Sequence, residues 1–209
     1  MKIVDLTLTY SPQIAGFNSE SAKTVARDGW NASTLHLYSH SGTHMDSPFH
    51  FEVNDQKIDE FPVDRFVSKA WVVPIEIKGG HQLIQPNDFR NFESKIDRGD
   101  SLIIKTGWAQ FVGQEKYRNE LPRFSEAAAN WIVEKGINIL AVEPCSVADV
   151  NNLPEVTRIH QILLGGDVII VEGLCNTEAL TSECVELIAL PLKILGGDGA
   201  PARVIARWD

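Results

Sequence analysis

The chain has 209 residues, of which 44% are hydrophobic and 22% are charged, and its formal net charge is −9. This length and composition predict one domain over residues 1–209, and the negative charge argues against nucleic acid or an anionic membrane as the main partner. The sequence has no apolar run long enough to span a bilayer and no signal-peptide core near Met1, so we expect a cytoplasmic protein whose partner is a small molecule.

Apolar segments rich in Val and Ile, bounded by Gly, Pro or charged residues, predict six strands. These are Lys2–Leu8, Leu35–His40, Ala70–Ile77, Ser101–Thr106, Ile137–Glu143 and Val168–Glu172. Several of them lack polar alternation, which indicates that both faces are buried.

Helix signals are clearest over Glu126–Lys135, where Ser125 is a typical N-cap and Gly136 a typical C-terminal stop. This helix would join the strands at Ser101 and Ile137 as a β-α-β unit with a parallel strand pair. A shorter helix is predicted over Pro86–Ile96. The chain is therefore expected to be mixed α/β.

The three cysteines are Cys145, Cys175 and Cys184. Their odd number and the lack of a paired metal-binding spacing predict reduced, buried thiols and not disulfides. Reduced thiols agree with the expected cytoplasmic location.

Four side chains that can bind a metal or a proton lie within an eleven-residue segment. The segment reads His40-Ser41-Gly42-Thr43-His44-Met45-Asp46-Ser47-Pro48-Phe49-His50. The three histidines and the aspartate all occupy even positions, so an extended backbone would place all four on one face. Gly42 and Pro48 disfavour a helix. The pattern predicts a metal site, because burying these groups together without a cation would be costly.

Imidazoles with a carboxylate suit Zn²⁺, Mn²⁺ or Fe²⁺ better than Ca²⁺, which prefers oxygen ligands. His50 follows the bend expected at Pro48, so we predict that it lies beside the metal and transfers a proton. The competing interpretation is that single histidines near a strand are merely exposed or structural, and we apply it to His36.

Further ligands have to come from distant parts of the chain, and His160 and Glu172 are the best pair. His160 precedes an apolar run, and Glu172 ends a predicted strand directly before Gly173. Asp198 lies in a glycine-rich turn that could line a pocket, although Asp-Gly is first a turn signal. Ser146 and Asp149 are candidate substrate contacts, and the loop residue His81 is left unassigned.

With the histidine motif, the chain resembles the metal-dependent cyclase/hydrolase family that includes bacterial kynurenine formamidase and isatin hydrolase. Further shared segments are Thr106-Gly107-Trp108, Glu143-Pro144-Cys145-Ser146-Val147-Ala148-Asp149, His160 with Leu163-Leu164, Glu172-Gly173-Leu174, and Leu190-Pro191-Leu192-Lys193 with Asp198-Gly199-Ala200-Pro201-Ala202-Arg203. The resemblance follows the family order over nearly the whole chain.

The resemblance implies one or two Zn²⁺ or Mn²⁺ ions, a mixed fold of the swivelling β/β/α type with a barrel-like core and flanking helices, and a homo-oligomer, either dimer or tetramer. It implies that one metal is bound by His40, His44 and Asp46, and that a second is bound by His160 with Asp46 and Glu172 as bridging carboxylates. It implies His50 as proton donor and acceptor. No organic cofactor is expected.

The implied activity is cleavage of an amide C–N bond, in an N-formyl aryl amide or a cyclic amide. Two departures separate this chain from the formamidases. It has His40-Ser41-Gly42-Thr43-His44 where they have His-Thr-Gly-Ala-His, and Ile14-Ala15-Gly16-Phe17 where they have a Trp-Pro-Gly-Asp segment. Glu143 also stands where many relatives have an aspartate, which is expected to change the pocket floor.

Three alternatives stay open at this point. The protein could be an N-formylkynurenine formamidase proper, a metal-dependent cyclase or lyase that acts on a small carbonyl compound, or a non-catalytic metal-binding protein. Entry of solvent oxygen into the product separates a hydrolase from a lyase.

Overall fold

The structure, a computed structural model, describes all 209 residues and contains twelve β-strands and four α-helices. The strands are β1 (Lys2–Asp5), β2 (Phe17–Lys23), β3 (Ala32–Leu37), β4 (His44–Asp46), β5 (Val67–Pro74), β6 (Leu83–Ile84), β7 (Ser101–Lys105), β8 (Arg123–Phe124), β9 (Ile139–Val142), β10 (Ile169–Glu172), β11 (Cys184–Pro191) and β12 (Gly199–Trp208). The helices are α1 (Val25–Asp28), α2 (Glu115–Asn119), α3 (Glu126–Lys135) and α4 (Leu153–Gly165). None of the helices is long and apolar enough to cross a membrane.

Seven strands close into a mixed barrel. Their order is β12-β11-β5-β7-β9-β10-β4, and β4 pairs back onto β12 to complete the ring, with β1 added outside on β12. The pairs β5–β7, β7–β9 and β9–β10 are parallel, whereas the pairs that involve β4, β11 and β12 are antiparallel. The expected mixed α/β class with a barrel-like core is confirmed.

The central strands are buried on both faces because each face contacts a different apolar cluster. In β7, Ile103 packs into the barrel interior with residues such as Met45. Its neighbours Leu102 and Ile104 belong to a second cluster, which includes residues of α3 and α4. The helices therefore cover the outside of the barrel, and alternate side chains of one strand serve both clusters.

The predicted β-α-β unit is confirmed. Helix α3 has the predicted bounds, the Ser125 hydroxyl accepts a hydrogen bond from the Ala128 amide at 3.1 Å, and Gly136 ends the helix with φ of +69°. Strands β7 and β9 on either side are parallel neighbours. Local capping signals and tertiary packing agree here, which is why the β-α-β unit could be predicted from the sequence.

Four predicted elements differ from the structure by three residues or more. The strand expected over Ala70–Ile77 is β5, which covers Val67–Pro74. The strand expected at Leu35–His40 is β3, which ends at Leu37 and forms an exposed two-stranded ribbon with β2. The helix expected over Pro86–Ile96 is only a 3-10 helix over Pro86–Phe89, followed by turns. The strand expected over Lys2–Leu8 is β1 and ends at Asp5.

Helix α4 and strands β11 and β12 are not among the elements predicted from the sequence. Helix α4 carries recognisable signals, since the Asn152 side chain caps the Glu155 amide and Pro154 lies in the first turn. Strands β11 and β12 are antiparallel, with buried and less buried residues in alternation over part of their length. Their short apolar stretches lack the continuous Val and Ile runs that identified the parallel strands.

Candidate active site

The histidine motif bends around the end of the barrel. It does not form the single extended segment that even spacing suggested. Only His44 and Asp46 share a face of a strand, β4, whereas His40 precedes Gly42 at φ of +61° and His50 lies in the 3-10 helix Pro48–Phe51. The turn and the 3-10 helix fold both ends of the motif back toward β4, so the four side chains still meet.

Close backbone packing holds this turn in place. Gly173 has φ of +73°, and a Cβ atom there would lie 2.4 Å from the carbonyl oxygen of Gly42, so no larger residue fits. The Thr43 hydroxyl donates to the Gly173 carbonyl and accepts from the Leu8 amide at 2.8 Å. The threonine that departs from the formamidase motif is thus fully hydrogen-bonded and connects three segments.

The distant residues reach the motif through strand pairing and helix packing. Glu172 is paired with His44 across β10 and β4, which places its carboxylate beside the imidazole. His160 lies on α4, and its ring stacks on Phe51 with a centroid distance of 4.3 Å. Both residues are buried, with exposed fractions of 3% and 2%.

Two imidazoles direct their Nε2 atoms at two buried carboxylates. The Nδ1–H of His44 donates to the Gly42 carbonyl at 3.0 Å, and that of His160 donates to the Val156 carbonyl at 2.7 Å. His44 Nε2 then lies 3.5 Å from Asp46 Oδ1 and 3.3 Å from Glu172 Oε2. His160 Nε2 lies 3.6 Å from Asp46 Oδ2 and 3.5 Å from Glu172 Oε1. Carbonyls that orient the far ring nitrogen are typical of histidine metal ligands.

His40 lies between two carboxylates. Its Nδ1 is 2.8 Å from Asp46 Oδ1 and its Nε2 is 2.9 Å from Asp198 Oδ2. Asp198 comes directly before Gly199, which pairs with Asp46 across β12 and β4. The glycine-rich turn is therefore part of this cluster, whereas the sequence indicated only that the turn could line a pocket.

The cluster strongly favours positive charge. Burial disfavours the charged form of His40, but hydrogen bonds and charge from Asp46 and Asp198 outweigh it and raise its pKa to about 9. The pKa values of His44 and His160 are raised too, since Glu172 and Asp46 prevail over burial. Burial would raise the pKa of Asp46 and Glu172, yet the surrounding imidazoles hold both values below the ordinary range.

The donor set fits a divalent metal ion. Asp46 Oδ2 is the buried side-chain oxygen without a hydrogen-bond partner, which is a costly state for a carboxylate unless a cation binds it. Donor atoms of His44, Asp46 and Glu172 lie within 4.8 Å of one another, and so do those of His40, Asp46 and His50. Asp46 belongs to both groups, as a bridging ligand would.

His50 is less constrained by hydrogen bonds than the other histidines of the cluster. Its ring stacks on His40 at a centroid distance of 3.7 Å, and its Nδ1 lies 3.8 Å from Asp198 Oδ2, too far for a hydrogen bond. The side chain is 25% exposed. Burial and the charges of His40 and His160 lower its pKa despite the opposing effect of Asp46, so the ring is neutral near pH 7. The geometry allows His50 either to bind a metal or to carry a proton.

Comparison with known proteins places the motif within a described family. Residues 4–149, which include His40, His44, Asp46 and His50, match the putative cyclase family. The chain belongs to this family. The kynurenine formamidase of Salinibacter ruber is 26% identical and is aligned over 99% of this chain and 98% of its own length. That of Bacillus cereus is 27% identical over 85% of this chain and 80% of its own.

Solved structures agree with the putative cyclase assignment. Isatin hydrolase A from Labrenzia aggregata is 25% identical, has a TM-score of 0.85, and aligns over 98% of this chain and 93% of its own. Isatin hydrolase A from Ralstonia solanacearum has a TM-score of 0.87 at 24% identity, covering 98% and 91%. The second similarity supports the shared fold alone.

The cluster of histidines and Glu172 opens into a cleft of about 750 Å³. Ser146 lines the cleft as the sequence analysis expected, but Asp149 does not, since its carboxylate accepts from the Asn151 amide at 2.9 Å. Ile14, Ala15 and Gly16 also line it. The aromatic residues Tyr38, Phe51 and Tyr117 line the same cleft.

Glu143 does not form the pocket floor that its position suggested. It is fully buried, and its carboxylate accepts hydrogen bonds from the amides of Thr106, Gly107 and Ala109 at 3.0, 3.1 and 3.0 Å and from the Thr177 hydroxyl. Glu143 thus holds the segment that leads into one wall of the cleft.

Replacing Glu143 with alanine is expected to lower the free energy of unfolding by about 3 kcal/mol, because several buried donors lose their acceptor. Chemical denaturation measures the change. The exposed Glu178→Ala is the control and should shift the free energy by less than about 0.5 kcal/mol. A shift of Glu143→Ala no larger than that of the control would contradict the anchoring role.

Proposed function

We propose that this protein is a metal-dependent hydrolase that cleaves the amide C–N bond of a small molecule. The observation that carries the proposal is the position of Asp46. This buried carboxylate has an unpartnered oxygen, belongs to two donor clusters, and faces imidazoles whose far nitrogens are already oriented by carbonyls. Such a centre beside an open cleft suits hydrolysis.

Five residues would hold the metal. They are His40, His44, Asp46, His160 and Glu172, as the sequence predicted. A divalent ion bound there supplies Lewis-acid chemistry, lowering the pKa of water and polarising a carbonyl group. Glu172 Oε1 also accepts from the Val147 amide at 2.8 Å, which keeps its carboxylate in a defined orientation.

His50 moves the proton. Its ring nitrogens make no hydrogen bond to the protein, its stacking on His40 fixes the ring plane, and its lowered pKa keeps a lone pair available at neutral pH. It can therefore accept a proton from water and donate it to the leaving nitrogen of the amide. Asp198, close to both rings, orients His40 from the opposite side to Asp46.

The substrate class comes from the relatives. Kynurenine formamidases align over most of this chain at 26–27% identity, and isatin hydrolase A shares its fold. We propose an N-formyl aryl amide or a cyclic amide as substrate. N-formylkynurenine itself has less support, because the N-terminal segment that lines the cleft departs from the formamidase pattern at Ile14–Phe17.

We propose Zn²⁺ or Mn²⁺ as the metal, since nitrogen and carboxylate ligands suit both. We also propose a cytoplasmic homo-oligomer, dimer or tetramer. The free cysteines agree with a reducing compartment, and Trp30 and Leu35 around the β2–β3 ribbon are apolar yet 61% and 56% exposed. Light scattering after size-exclusion chromatography tests the oligomeric state.

The decisive experiment combines elemental analysis with a substrate screen. Protein purified without chelator is expected to contain one or two metal ions per chain and to hydrolyse N-formyl aryl amides, isatin or simple lactams with added Mn²⁺ or Zn²⁺. In ¹⁸O-labelled water the product should gain the label. Turnover without label would indicate the lyase or cyclase chemistry instead, and stoichiometric metal without turnover would indicate a binding protein.

Metal removal is expected to lower thermal stability. A bound ion at 100 times its dissociation constant adds about 2.7 kcal/mol to the free energy of unfolding, which corresponds to roughly 5–10 °C in Tm for a chain of this size. Differential scanning calorimetry with and without chelator measures the shift, and readdition of metal should reverse it. An unchanged Tm would contradict a metal in the buried cluster.

A further inference from the structure

Residues 112–119 form one wall of the cleft. This segment follows the 3-10 helix Trp108–Phe111 and continues through α2, and most of its residues line the cavity. Arg118 is the only lysine or arginine that lines the cleft, and Glu115 is the only carboxylate that this wall contributes. The wall therefore presents one guanidinium on the same cavity as the metal cluster.

Arg118 has no internal counter-ion. Most arginines of this chain are held by a carboxylate: the ion pairs are Arg27–Asp28, Arg65–Asp167, Arg123–Glu155, Arg158–Glu126, Arg203–Asp5 and Arg207–Glu186. The Arg118 side chain is exposed and forms neither an ion pair nor a hydrogen bond to another residue. Its fork of N–H donors is free to bind a planar anion from the cleft.

Arg118 and the metal cluster lie within reach of one ligand. Cys145 lines the same cleft as Arg118 and Glu172. Burial and the charge of Glu172 raise the pKa of its thiol, and the charge of Arg118 opposes them, so both charged groups act on this one side chain. A small molecule that covers Cys145 can therefore meet the carboxylate cluster at one end and the guanidinium at the other.

We propose that Arg118 binds a carboxylate of the substrate, so that the enzyme acts on amides of acidic molecules. The inference rests on the proposed hydrolase function and names its substrate class. The chain has a net charge of −9 and the inner cluster contains Asp46, Glu172 and Asp198, so an anionic substrate needs a cationic contact to enter in one orientation. Arg118 supplies that contact and directs the amide toward His50.

The test compares an acidic amide with its neutral counterpart. The probes are meta- and para-formamidobenzoate, each paired with the corresponding formamidobenzamide. Wild-type protein should hydrolyse the acids with a kcat/KM about tenfold or more above that of the amides. Arg118→Gln should remove this preference, mostly through KM, and leave the neutral probes unchanged. Arg118→Lys should restore part of it.

Arg90→Gln is the matched control, because Arg90 is also exposed and unpaired but does not line the cleft. Titration calorimetry of the same probes provides a readout that needs no turnover. Equal hydrolysis and equal binding of acid and neutral probes by the wild type would overturn the role of Arg118 and leave the hydrolase intact. Hydrolysis of none of these probes, with isatin and simple lactams also unreactive, would overturn the hydrolase, and calorimetry would still decide whether Arg118 binds the carboxylate.

Discussion

Replacing His50 with alanine is expected to lower kcat by about 100- to 10,000-fold and to leave the metal content unchanged. The side chain is partly exposed, stacks on His40 and makes no hydrogen bond to the protein, so its loss removes a proton carrier without opening the buried cluster. Steady-state kinetics on a hydrolysed amide and elemental analysis of the same preparation measure the two quantities.

The metal content of the His50→Ala variant distinguishes a proton carrier from a metal ligand. One His50 nitrogen lies within 4.8 Å of donor atoms of His40 and Asp46, so the distances alone also permit a ligand role. A variant that loses activity together with one metal ion would establish His50 as a ligand. His36→Ala serves as the control, since His36 lies on the exposed β3 with its imidazole 3.4 Å from the Glu20 carboxylate, and it should retain full activity.

Replacing Asp46 with asparagine is expected to abolish metal binding and turnover together. An amide is isosteric but neutral, and it turns an N–H₂ donor toward imidazoles that present their own N–H or a cation. Because Asp46 belongs to both donor clusters, one substitution damages both. Replacing a residue that is hydrogen-bonded to a metal ligand typically lowers metal affinity by roughly 10- to 100-fold, and the loss for Asp46→Asn should be larger.

Asp198→Asn is the matched variant for Asp46→Asn. Asp198 is the other carboxylate on His40 but is 41% exposed and belongs to neither metal-donor group, so its substitution should reduce metal affinity by about tenfold or less. Metal titration of the two apoproteins under identical conditions gives the comparison. Similar affinities for both variants would contradict the central position of Asp46.

The parts of the fold that the sequence predicted are those in which local signals and tertiary packing agree. Helix α3 has an N-cap, a favourable composition and a glycine stop, and the parallel strands β7, β9 and β10 are buried on both faces, so each is a continuous apolar run. The exposed ribbon β2–β3 and the half-exposed strand β11 lack such a run, because water contacts one or both faces.

The chemistry of the site could be predicted for a related reason. A buried carboxylate among histidines needs a cation, and three histidines with an aspartate in eleven residues are a strong signal whatever the backbone does. Residue types and spacing predicted which groups lie together at the site. They did not determine the geometry, because the bend at Gly42 and the 3-10 helix after Ser47 replaced the expected strand.

Only the tertiary structure decided the positions of Asp198, Glu143 and Arg118. Asp198 reaches His40 because β12 closes the barrel against β4, which is a pairing across more than half of the chain. Backbone amides surround Glu143 and make it an internal anchor, whereas no carboxylate pairs with Arg118, which therefore stays an unpaired cation of the cleft. A charged side chain has no preference of its own between these roles. Its neighbours in space determine whether it is satisfied internally or left for a ligand, and spacing along the chain does not specify those neighbours.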